Sequence, residues 1–147
     1  MIETLKQLFT RDLMILKKEI NLYRAESDLW VLAEGIENSG GNLCLHLIGN
    51  LNHFIGAIIG KTDYIRKRDL EFSLKNIPRS ELISEIDNTR DTITNTLEGL
   101  SVSNLGEEYP VLVFKEKTTV GFFLIHLLTH LTYHRGQINY HRRLLDN

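Results

Sequence analysis

Apolar residues recur every three or four positions along four long stretches of this chain, and its two prolines, Pro78 and Pro110, fall outside all of them. A proline inside a helix removes a backbone hydrogen bond and clashes with the preceding turn. Prolines confined to connections therefore leave long helices unbroken. The first stretch runs from Ile2 to Tyr23, with Leu5, Leu8, Phe9, Leu13, Leu16 and Ile20 on one face. The second runs from about Leu43 to Ile59, with Leu47, Ile48, Leu51, Phe54 and Ile55 in its stripe and Gly60 as its stop. The third spans about Ser80 to Leu97 through Leu82, Ile83, Ile86 and Ile93, closed by Gly99. The fourth spans about Val120 to Leu145, with Thr118 or Thr119 as its N-cap. Such periodicity predicts an all-α protein, a four-helix bundle formed as a single domain over residues 1–147.

Between these stretches the expectations are simpler. Trp30, Val31 and Leu32 should form a short turn packed over the end of the bundle. Lys61 to Ile77 is polar and reads as a long connection between helices two and three, with Arg66-Lys67-Arg68 solvated. Tyr109 to Phe114 reads as an extended segment with one small hairpin.

Composition narrows the function. The 147 residues carry a formal net charge of -2 and a pI near 6.3, which argues against binding nucleic acid through bulk positive charge. No apolar run approaches the roughly 20 residues that cross a bilayer. The N-terminus shows no basic patch followed by an apolar core, so a cytoplasmic protein is expected. A single cysteine, Cys44, excludes an intramolecular disulfide and a cysteine-rich zinc site. It lies two residues before His46, about 200° around the helix, and reads as a small buried hydrophobe.

The chemistry is in the histidines. Three of the six fall between His126 and His134. His130 and His134 are four residues apart, so on a helix they stand one above the other and can converge on one ion. On the second helix, His46 and His53 share a face with Asn50 between them. His46 meets the pair if the two helices are neighbours; His53 is about 10 Å further along the axis, too far to share the ion. Gly49 and Gly136 sit in helix interiors, where glycine is unfavourable, and so predict close backbone approach. Three neutral imidazoles leave coordination positions open for water or substrate. Asn50, His53, His126, Tyr133 and Gln137 are candidate pocket residues around that centre. His126 reads as packed beside the site and His141 as lying near the bundle end.

The block Asn42-Leu43-Cys44-Leu45-His46-Leu47-Ile48-Gly49-Asn50-Leu51, with His130-Leu131-Thr132-Tyr133-His134-Arg135-Gly136-Gln137-Ile138 far downstream, resembles the DinB/YfiT-like superfamily. That resemblance implies a four-helix bundle with a long connection between helices two and three. It also implies a metal site at His46, His130 and His134, and a homodimer. The metal implied is zinc or nickel, although imidazole also suits iron, manganese and copper. Characterised relatives include thiol-dependent transferases, in which the metal is thought to activate a low-molecular-weight thiol. The implied function is thus a cytoplasmic, divalent-metal-dependent S-transferase joining a small thiol to an electrophile in stress or detoxification chemistry. A metal-dependent hydrolase and a non-catalytic metal- or ligand-binding bundle are the alternatives. Nucleic-acid and membrane partners are not expected.

Overall fold

The structure is a computed structural model, described here for residues 1–146. It is all-helical, and no strand occurs among the described residues. The helices are α1 (Ile2–Leu22), α2 (Gly40–Leu51), α3 (Arg68–Ser73), α4 (Arg79–Glu98) and α5 (Val120–Leu145). No described helix is long and apolar enough to cross a membrane.

Each long helix buries the stripe that its periodicity announces. Leu5, Phe9, Leu13, Leu16 and Ile20 of α1 are buried, as are Leu82, Ile86, Ile93 and Leu97 of α4. From α5, Phe123, Leu124, Leu127, Leu131 and Ile138 join the same core. Helix α1 packs against α4 and α5, and α2 closes the other side by packing against the same two. The α1–α5 contact also carries charge. Asp12, fully buried, accepts from the Thr132 hydroxyl at 2.6 Å and pairs with Arg135 at 3.4 Å.

Helix α2 starts earlier than its apolar stripe does. Ser39 caps it, its hydroxyl accepting from the Asn42 backbone N–H at 3.2 Å. The two glycines that follow are there for space: a Cβ on Gly41 would fall 2.8 Å from the Trp30 ring, and one on Gly40 would overlap the Tyr23 hydroxyl. Beyond Leu51 the helix widens into a π-helical segment, Asn52–Ala57, whose bonds run from Ile58 N–H to His53 O and from Gly60 N–H to Ile55 O. That segment packs on α4, where Asn52 donates to Thr89 at 2.8 Å. Thr119 caps α5 by accepting from the Phe122 N–H at 3.1 Å.

Three expectations need correction. The stretch from Lys61 to Ile77 is not a plain connection, because α3 forms inside it and packs on α2. A short fifth helix thus stands beside the four long ones that were expected. Around Trp30, only Leu29 and Trp30 are buried, in a 3-10 turn over Glu26–Trp30; Val31 and Leu32 face solvent because the chain turns extended at Val31. Finally, Tyr109 to Phe114 makes no hairpin of its own. A lone antiparallel bridge joins Glu108 to Thr119, Tyr109 is buried, and Val111 to Phe114 are exposed.

Cys44 is fully buried, and burial pushes its thiol up to about 12. A thiolate is the reactive form. In the native protein Cys44 should therefore stay silent to a colorimetric disulfide reagent at pH 8, and one thiol per chain should appear on unfolding. Rapid labelling of the folded protein would show that α2 opens locally.

Candidate metal centre

Helices α2 and α5 pack together with His46 facing His130 and His134. The Nε2 atoms of His46 and His130 are 3.3 Å apart, and those of His134 and His130 are 3.1 Å apart. Ligand atoms of all three rings lie within 4.8 Å of one another, and among the described residues this is the group able to hold a metal ion. Nitrogens placed about 2.0–2.1 Å from one tetrahedral ion are themselves about 3.3–3.4 Å apart. The observed spacing is thus close to the edge of such a coordination shell.

Hydrogen bonds on the far sides of the rings fix which nitrogen looks inward. His46 Nδ1–H donates to Glu71 Oε1 at 3.0 Å. A carboxylate only accepts, so Nδ1 carries a proton and Nε2 is the His46 nitrogen turned toward the centre. Glu71 is in turn gripped by Arg66, whose Nε and Nη2 donate to its two oxygens at 2.9 and 2.8 Å. Arg66 Nη2 also lies 3.4 Å from His46 Nδ1, but arginine has only donors, so that approach is proximity rather than a bond. Burial alone would raise the Glu71 carboxyl, yet the bonds from Arg66 and His46 outweigh it and hold it below the ordinary range. His134 is oriented likewise: its Nδ1–H donates to Gln137 Oε1 at 2.7 Å, and Gln137 Nε2 donates to the Tyr133 hydroxyl at 3.2 Å.

His130 stands between two rings that both present lone pairs. Burial pushes it down to about 4, and repulsion from His134, His46 and His126 adds to the shift. Burial also lowers His134, against a smaller upward pull from its bond to Gln137. Both rings therefore remain neutral at neutral pH. His130 Nε2 lies at hydrogen-bond distance from the Nε2 atoms of both His46 and His134, and a cation held there would draw on the lone pairs of all three rings.

The remaining sequence candidates divide. Gln137 and Tyr133 brace His134 from outside. Asn50 is buried one turn beyond His46, and its Oδ1 has no partner. His126 sits next in line on α5 with its ring 6.3 Å from that of His130, wedged against Phe114 at 4.8 Å and Phe123 at 5.7 Å. His53 packs edge-on to Phe54 at 4.7 Å and does not join the three-histidine group. His141, buried, accepts from the Tyr23 hydroxyl at Nδ1 (2.7 Å) and donates from Nε2 to the Val31 carbonyl (2.8 Å).

Two residues escaped sequence reasoning. Glu71 and Arg66 sit in a polar stretch that lacks helical apolar spacing, and Arg66 is largely buried rather than solvated. A signal was nevertheless present in Gly49. A Cβ there would overlap the Glu71 carboxylate, so the glycine admits a side chain rather than a neighbouring backbone. Gly136 admits nothing: no atom lies within 4 Å of where its Cβ would be, so the close approach expected there is absent.

A family model described as a protein of unknown function, DUF1572, matches residues 1–147. The chain belongs to the DUF1572 family. No curated protein matches it. In this DUF1572 protein, a cavity of about 480 Å³ opens beside the histidine centre, with His134, Gln137, Tyr133, Tyr140, Leu43 and Ile36 in its wall. It gives a ligand room to approach from the α5 side.

Because Gly49 and Glu71 compete for one volume, their substitutions should not add. Gly49→Ala should destabilise the protein by about 1–3 kcal/mol, as overpacking does. In a Glu71→Ala background the same change should cost far less, since the obstructing carboxylate is gone. Denaturant unfolding of the two single variants and the double variant measures the difference. Additive losses would mean that Gly49 does not seat Glu71.

Proposed function

We propose that this DUF1572 protein is a DinB/YfiT-like four-helix bundle whose His46, His130 and His134 hold a divalent metal ion for enzymatic use. The observation that carries the reading is that His130 Nε2 stands 3.3 and 3.1 Å from the Nε2 atoms of His46 and His134, with ligand atoms of all three rings within 4.8 Å of one another. The outward hydrogen bonds to Glu71 and Gln137 support it, because they set the tautomer a ligand histidine needs. Zinc or nickel suits the donor set best; iron, manganese and copper are also compatible with imidazole.

The reaction we favour joins a low-molecular-weight thiol to an electrophile: the S–C bond forms, the leaving group departs with the electron pair, and the thiol proton is released. A bound divalent ion would supply the deprotonated thiol at neutral pH. The protein's own part is to keep three imidazoles aimed at one point, and to leave one side open to the cavity beside His134. Cys44 takes no part, since its thiol is buried and protonated. The setting proposed is the reducing cytoplasm. A homodimer is proposed as well, on the support of an exposed apolar stripe along α5 formed by Phe122, Ile125, Tyr133, Tyr140 and Leu144.

Metal analysis of protein purified without added metal tests the centre. Wild type should carry close to one equivalent of a divalent ion, and the triple variant His46→Ala, His130→Ala, His134→Ala should carry none. Equal trace metal in both would end the reading. Turnover of a haloarene with a panel of biological thiols should require both metal and His130. Ester hydrolysis without thiol transfer would assign a hydrolase instead, and no turnover of either kind would leave a binding module. Sedimentation should show a species of twice the 17.0 kDa chain mass, and a monomer at micromolar concentration would remove the dimer.

A further inference from the structure

Two of the three imidazoles have an acceptor waiting behind them, and the third does not. His46 Nδ1 has Glu71 and His134 Nδ1 has Gln137, but His130 Nδ1 is buried without a partner. A ring that binds through Nε2 carries its proton on Nδ1, and a buried N–H without an acceptor costs about 1–3 kcal/mol. Four buried side-chain polar atoms among the described residues lack a partner: Trp30 Nε1, Arg79 Nε, His130 Nδ1 and Asn50 Oδ1. Asn50 supplies the sole oxygen, and hence the one acceptor, in that set.

The helix geometry places this acceptor on the right level. The His46 ring meets the His130 ring at 5.1 Å, while eight residues on, Phe54 meets Phe123 at 5.3 Å. The chain thus advances along α2 and its π-helical continuation while it runs backward along α5. Asn50 lies midway between His46 and Phe54, and so stands opposite the turn of α5 just before His130. Side chains on a helix lean toward its N-terminus, which tips the His130 ring toward that same level.

We infer that Asn50 is the positioning residue for His130: when an ion sits on Nε2, the Asn50 amide oxygen accepts the His130 Nδ1–H and locks the third ring, as Glu71 and Gln137 lock the other two. This deepens the reading of the three histidines as a metal centre and rests on it. Asn50 is thereby assigned to the support of the centre and not to substrate.

Zinc chloride titrated against a chromophoric chelator measures affinity, and imidazole nitrogen NMR of the zinc-loaded protein reports each Nδ1–H. Wild type should show three protected Nδ1–H resonances. Asn50→Leu, of similar volume but without an acceptor, should bind zinc 10–100-fold more weakly and lose the His130 resonance alone. Asn50→Asp keeps an acceptor and should stay within a few-fold of wild type with the resonance present. If Asn50→Leu loses its helical circular dichroism, Asn50→Ala takes its place with the same expectation. Affinity within twofold of wild type in the acceptor-free variant overturns the inference. So does weakened affinity with the His130 resonance preserved, which would make Asn50 a packing residue. A wild type that takes up no zinc overturns the metal reading and this inference together, whereas wild-type binding matched by Asn50→Leu overturns only the inference.

Discussion

Three imidazoles aimed at one point from two helices are the constraint around which this molecule is arranged. Their Nε2 atoms stand 3.1 and 3.3 Å apart at the contact between α2 and α5. The chain holds them there with ordinary means: apolar stripes that lock α2 against α5, and hydrogen bonds behind His46 and His134 that set the tautomers of those two rings. Packing sets the distance and the polar bonds set the direction.

The bond from His46 to Glu71 links the centre to the least regular part of the chain. Helix α3 has only six residues and could not persist alone. It is held by Asn42, which donates to the carbonyls of Glu71 and Leu74 at 3.0 and 2.8 Å, and by the Arg66–Glu71 pair. A buried ion pair adds little net stability when compared with apolar packing, but it tolerates one geometry only. Here that geometry is the one in which the Glu71 carboxylate meets Nδ1 of His46. Gly49 makes room for it on the facing helix.

The long helices were readable because each buries a stripe of four or more apolar residues, and burial of that kind imprints a 3.6-residue period on the sequence. Gly99 at the end of α4 and Thr119 at the start of α5 were readable from the chemistry of helix ends. His46, His130 and His134 were readable as a group because helical spacing and the family resemblance point the same way. Helix α3 was not, since what holds it is charge and amide bonding, which carry no period. The same applies to Arg66: three basic residues in a row look solvated until the carboxylate five positions on is seen to turn back toward them. The i to i+5 bonds after Leu51 are likewise invisible to a period of 3.6. Val31 and Leu32 misled in the opposite sense, being apolar in sequence and exposed in the fold.

The burial of Cys44 has a meaning for any protein that handles electrophiles. It stands two positions before a candidate metal ligand, and a sulfur at the mouth of the centre would be the first nucleophile that an incoming alkylating agent met. Turned inward and kept protonated, it offers such an agent nothing to attack. In the proposed reaction the sulfur that attacks is therefore one that diffuses in and leaves with the product, not this one.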